Sequence, residues 1–96
     1  MTVRNYDLML DELYKAIIEI SSEEECKLFL EDLCTIKELE SMSQRLKSAK
    51  MILNDKTYNE IINETGISSA TLSRVSKCVR HGNGGYKTVI DKVDKN

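Results

Sequence analysis

The residue types suited to nucleophilic or metal chemistry are sparse in this chain of 96 residues: one histidine, His81, and three cysteines, Cys26, Cys34 and Cys78. No two cysteines stand in a Cys-x-x-Cys spacing. Cys78 and His81 together supply only two of the four ligands a structural zinc takes. The cysteines therefore read as reduced thiols packed as small hydrophobes. Serines and threonines are plentiful but fall where caps and turns need them. No nucleophile–base pair is recognisable, and no glycine loop leads into a lysine to cradle phosphate. Neither enzyme chemistry, a metal centre nor a cofactor is expected.

A different chemistry is concentrated between Ser68 and Arg80. Ser68, Ser69, Ala70, Thr71 and Ser73 are small, and all but Ala70 carry a hydroxyl that donates and accepts. Arg74, Lys77 and Arg80 follow as cations. A helix that enters the major groove of duplex DNA needs small side chains at its leading end, so that its backbone comes close to base edges. The cations behind suit phosphates or guanine. Projected at about 100° per residue, Leu72, Val75 and Val79 fall on one side of such a helix. Ala70, Ser73, Arg74, Lys77 and His81 fall on the other. The expected partner is double-stranded DNA.

Positioning these residues requires the elements around them. Ser68 caps a helix predicted over 69–80. Before it, Thr57-x-x-Glu60 forms a capping box opening a short helix over 57–65, with Ile61 and Ile62 inward. Gly66 closes that helix, because the residue just past a helix end often needs positive φ. Ile67 plugs the junction. Plain helical hairpins also contain glycine, but the Thr57 cap, the Gly66-Ile67-Ser68 turn and the small leading residues favour a helix-turn-helix.

Upstream, Tyr6, Met9, Leu10, Leu13, Tyr14, Ile17 and Ile18 recur at three- and four-residue spacing and predict a helix over 4–20. Leu8 and Ile20 widen its apolar stripe, which calls for cover from more than one side. Ser22-x-x-Glu25 opens a second helix over 23–33, expected to bury Cys26, Phe29, Leu30 and Leu33. Thr35-x-x-Glu38 opens a third over 36–53, with Leu39, Met42, Leu46, Ala49 and Leu53 as its stripe. Asn54-Asp55-Lys56 turns out of it. After the break at Gly82-Asn83-Gly84-Gly85, Tyr86, Val89, Ile90 and Val93 support a last helix over 86–94.

Composition agrees with an all-α chain: proline is absent and 41% of residues are apolar. A single copy this small builds only a thin core, and a second copy would put the apolar surface to use. The net charge of −2 divides unevenly. Residues 1–42 hold four Lys/Arg against eleven Asp/Glu, or −7, and residues 43–96 hold ten against five, or +5. Such a split suggests separate faces for separate tasks. No apolar run reaches the roughly 18 residues of a membrane span. Met1 to Asp7 lacks the basic and apolar stretches of a secretory leader, so a cytoplasmic location is expected.

Three runs carry a resemblance: Leu33-Cys34-Thr35-Ile36-Lys37-Glu38-Leu39, Ser43-Gln44-Arg45-Leu46 and Ala70-Thr71-Leu72-Ser73-Arg74. Over nearly its whole length the chain resembles the tryptophan-repressor superfamily. The tract Gly82-Asn83-Gly84-Gly85-Tyr86 is similar to one in the YerC/YecD-like branch. The resemblance implies an all-α, six-helix, repressor-like fold forming one domain over 1–96, with dimerisation helices in 1–53, the helix-turn-helix in 57–80 and a C-terminal helix in 86–94. It also implies an intertwined homodimer on the bacterial nucleoid, acting as a sequence-specific transcriptional regulator, a repressor.

By the same resemblance, Thr35, Arg45 and Arg74 occupy positions that hold an amino-acid corepressor. Two arginines can clamp a carboxylate and stack on an aromatic ring. Val75, however, stands where the repressor has glycine, and its isopropyl group fills space an indole needs. Any small-molecule effector is therefore expected to differ from tryptophan. Ile62 and Asn59 stand where the repressor carries basic residues, so its operator does not carry over. The competing reading is a helical dimeric protein-interaction module, which the acidic first half would suit.

Overall fold

The computed structural model describes residues 5–95 and contains six α-helices: α1 (Tyr6–Ile18), α2 (Glu23–Leu33), α3 (Ile36–Leu53), α4 (Tyr58–Thr65), α5 (Ser69–His81) and α6 (Gly85–Asp94). Among the described residues there is no strand. The order and positions follow the periodicity of the sequence, and the caps explain the ends. Where α1 was expected to begin, Arg4 lies outside the described residues. At its other end α1 stops at Ile18, and the N–H groups of Glu19 and Ile20 donate to Ala16 and Ile17, a tightened last turn of i→i−3 bonds.

The chain falls into two units, one ending at Ile36 and the other beginning at Lys37. The first holds α1 and α2. The Ser22 hydroxyl accepts from the Glu25 N–H at 3.1 Å, as a capping box requires. The Glu25 carboxylate returns to the N–H of Ser21 at 3.1 Å, one residue earlier than the usual box. Neither helix has a buried residue. Tyr6, Leu8, Met9, Tyr14, Ile17, Ile18, Leu28 and Leu33 are all exposed. Of the residues expected to be buried in α2, Cys26, Phe29 and Leu30 are half-buried and Leu33 is exposed. Two short helices cannot enclose stripes this wide.

The second unit holds α3 to α6 and a true core. Ala49, Met51 and Ile52 of α3 join Ile61 of α4, Ile67 of the turn, Leu72 and Val75 of α5 and Ile90 of α6. Leu53, Ile62, Val79 and Tyr86 pack against this cluster. Each large side chain so buried contributes about 1.5–3 kcal/mol. Helix α5 is central, packing on both α4 and α6.

The face of α3 that enters this core is not the whole stripe anticipated above. Met42 and Leu46 are exposed, whereas Ser48, Ala49, Met51 and Ile52 are buried. Helix α3 has two adjacent apolar faces, and α4 to α6 cover only the one toward its C-terminal half. Ser48 and Ala49 are fully buried, and their small size lets neighbouring elements come close. The Ser48 hydroxyl has no hydrogen-bond partner.

Helix α3 ends in a Schellman motif. Asp55 has φ of +59°, Lys56 N–H donates to the Met51 carbonyl, and Asp55 N–H donates to that of Ile52. The far end of α5 is closed differently. A Cβ at Gly82 would lie 2.3 Å from the Cys78 carbonyl oxygen, so only glycine permits that approach.

Candidate nucleic-acid interface

The reading unit is α4, a three-residue turn and α5. Thr57 caps α4, its hydroxyl accepting from the Glu60 N–H at 3.2 Å. Gly66 then takes φ of +74°, the left-handed conformation that lets the chain reverse directly after Thr65. Ile67 points into the core with 3% of its surface exposed. Ser68 caps α5 by accepting from the Thr71 N–H at 3.2 Å. Each of these features had a sequence signal.

Thr65 joins the parts. Its hydroxyl donates to the Ile61 carbonyl at 2.8 Å and accepts from the Ile67 N–H at 3.2 Å. Its carbonyl accepts from the side-chain amide of Gln44 on α3 at 3.1 Å. Neither role follows from sequence spacing alone, because the two residues lie 21 positions apart. A signal for Gln44 existed: it stands four residues before Ser48 on the inward face of α3, where a long polar side chain must find a partner.

The outer face of α5 is as projected. Leu72 and Val75 are 0% and 3% exposed, while Ser69, Ala70, Ser73, Arg74, Lys77, Arg80 and His81 are exposed. Among the described residues no hydrogen bond or ion pair engages the side chains of Ser69, Ser73, Arg74 or Lys77. Arg80 donates from Nε to the Ser76 hydroxyl at 3.2 Å, which lays its guanidinium along its own helix. The Ser68 hydroxyl also donates to the Thr71 hydroxyl at 2.9 Å. Ser68 and Thr71 are thus engaged with each other, and Thr71 is half-buried.

Charge separates the two helices of the unit. Helix α5 carries Arg74, Lys77 and Arg80 and no acid; α4 carries Glu60 and Glu64 and no base. Glu64 faces Lys47 of α3 at 3.9 Å, an exposed pair that adds little stability but offsets part of that acidity.

Beside α5 lies a cavity of about 260 Å³ lined by Ser41, Arg45, Thr71, Arg74, Val75, Cys78 and Tyr86. The fold therefore brings Arg45 and Arg74 to one concavity, with no acidic residue among its walls. Val75 lines it, at the position where the resemblance put a pocket-lining residue. Thr35 belongs to the first unit. Cys78 and Tyr86 were not anticipated here, because they reach the cavity from the far end of α5 and from α6. A second, larger and mainly apolar hollow of about 540 Å³ adjoins them, lined by Leu46, Gly82, Asn83, Gly85 and Val89 as well. Among the described residues no cluster of His, Cys, Asp or Glu is arranged to hold a metal ion. No helix among them is long and apolar enough to cross a membrane.

Known proteins share this arrangement. The family described as "Trp repressor protein" matches residues 9–94. The uncharacterized protein YerC of Bacillus subtilis (strain 168) is 45% identical over 84 residues, covering 88% of this chain and 81% of YerC. The crystal structure of a Trp-repressor candidate from Staphylococcus aureus superposes with a TM-score of 0.86 at 42% identity, over 97% of this chain and 96% of that one. A TrpR-like protein from Eubacterium eligens superposes with the same score at 39% identity, over 91% and 90% of the two chains.

Proposed function

Because the chain belongs to the Trp repressor family, a family of non-enzymatic DNA-binding regulators, we propose that it is a sequence-specific transcriptional repressor that occupies promoter DNA and reads the major groove with α5. The observation that carries this reading is the outward placement of Ala70 and Ser73 with Leu72 and Val75 buried behind them. That placement leaves a leading face with little bulk, flanked by the unpaired cations Arg74 and Lys77. Ser69, Ala70 and Ser73 are the residues nearest to base edges in this reading. Arg74, Lys77 and Arg80 take phosphates, and Ser68 and Thr71 hold the end of the helix.

The protein works in the bacterial cytoplasm as a homodimer. Support for the dimer is the run of exposed Tyr, Leu, Met and Ile side chains on α1 and α2, which a second copy would cover. Two reading units held by a two-fold axis would meet successive major grooves, so a pseudo-palindromic site is expected. The cavity between Arg45 and Arg74 suits a small effector bearing a carboxylate, and Val75 disfavours one as wide as an indole. A thermal shift with a metabolite panel tests the effector, since a ligand at 100 times its Kd stabilises by about 2.7 kcal/mol.

Gel-shift titration at several salt concentrations tests DNA binding itself. Affinity should fall steeply as salt rises, because cations on the protein displace counterions from phosphates. Ser73→Glu places a carboxylate in the middle of the leading face and should abolish binding with helicity unchanged. Retained affinity in Ser73→Glu would mean that α5 is not the reading helix, whereas no salt-sensitive binding by the native chain tighter than about 10⁻⁴ M would transfer the case to a protein-interaction module.

A further inference from the structure

We propose that Gln44 is a positioning residue for DNA recognition: its side-chain amide ties α3 to the final carbonyl of α4 and so sets the angle at which α5 is presented. The inference rests on the DNA-reading function proposed above and names a residue that acts without touching the nucleic acid.

The other hydrogen bonds within 57–82 close over four residues or fewer along the chain. They shape each helix and its cap but hold neither helix against a neighbour. Apolar packing does hold them, yet burial is non-directional and tolerates small rotations of one helix on another. A hydrogen bond does not, because it weakens steeply away from linearity. The bond from Gln44 Nε2 to the Thr65 carbonyl spans 21 residues of sequence, is part-buried and measures 3.1 Å. It supplies the directional link from α3 into the turn.

Three features make Thr65 the place where such a link matters. Its carbonyl is among the last four of α4, which the helix itself leaves without partners, and α4 has no basic residue in its last turn to serve them. Its hydroxyl already bonds both α4, at Ile61, and the turn, at Ile67. The next residue, Gly66, lies so near that a Cβ there would sit 3.6 Å from Gln44 Nε2. Gln44 therefore meets the turn where the direction of α5 is decided. Only the amide NH₂ can make this contact, because a carbonyl oxygen accepts and never donates.

The test uses the full chain with Gln44→Met, which keeps the length and removes both donors, and Gln44→Ala as a second donor-less variant. Two readouts are compared with the native protein. Hydrogen exchange at the Gly66 and Ile67 amides should accelerate about tenfold in both variants, the scale of one lost hydrogen bond. Binding to a duplex selected from a random library should weaken by a similar factor, about tenfold. Affinity for random duplex and its salt dependence should stay within about twofold, since the cations of α5 are untouched. Unchanged exchange at both amides would overturn the proposal, as would a parallel loss of selected and random binding. Should the native chain fail to discriminate between duplexes, the DNA-reading function falls, and amide exchange still decides whether Gln44 holds the turn.

Discussion

The two units of this chain are built from the same residue types and reach opposite results. From Lys37 onward, four helices enclose eight buried apolar side chains, Ala49, Ile61 and Leu72 completely. Up to Ile36, two helices with stripes at least as apolar bury none. Charge divides the same way: 1–36 hold three basic and nine acidic residues, −6, and 37–96 hold eleven and seven, +4. The lesson is that an amphipathic pattern specifies a helix and its sticky side but not what covers it. In the second unit the cover is intramolecular. In the first, on the proposed reading, it is another copy of the chain.

The largest effect that tests this contrast is core truncation. Leu72→Ala removes a fully buried side chain and should cost about 2–5 kcal/mol in a denaturant titration. The same truncation at Leu8, 65% exposed in a single chain, separates the two kinds of cover. If a second copy buries α1, Leu8→Ala makes the melting temperature depend on protein concentration more steeply than in the native chain, as sedimentation equilibrium would confirm. A melting curve for Leu8→Ala that matches the native one at every concentration would place α1 outside any interface. Next in size is the cap of the reading helix. Ser68→Ala should cost about 1 kcal/mol, and the loss should appear as faster amide exchange at Thr71. Smallest is Ser48→Ala. The buried hydroxyl without a partner predicts a change near zero, or stabilisation of up to about 1 kcal/mol, by thermal melting.

Local chemistry was legible in the sequence wherever it depends on near neighbours. The caps at Ser22 and Thr57 appear where three-residue spacings placed them, Ser68 caps the helix it precedes, and Gly66 takes the left-handed conformation its position required. The outward face of α5 could be projected because Leu72, Val75 and Val79 leave one inward side for a straight helix. What could not be read depends on contacts remote along the chain. Met42 and Leu46 continue the same stripe as Ala49 but are exposed, because burial is decided by where α4 to α6 lie, not by periodicity. Gln44 was visible as part of a matching run, yet its partner stands 21 residues away. Cys78 and Tyr86 join Arg45 and Arg74 only once α5 and α6 have packed. Ser68 and Thr71 look like two independent hydroxyls in sequence and prove to be one hydrogen-bonded pair.

The two ends of α5 make it a gauge of fixed size. Ser68 seals its first turn, and Gly82 leaves the helix in a geometry where any side chain would strike the Cys78 carbonyl, so the two caps bound thirteen residues. That gives a rod of about 20 Å. One residue inserted within it would swing everything downstream by about 100°, carrying Lys77 and Arg80 off the side that Ala70 and Ser73 define. Variation among relatives that preserve this function should therefore exchange residues along α5 and leave its count of positions untouched.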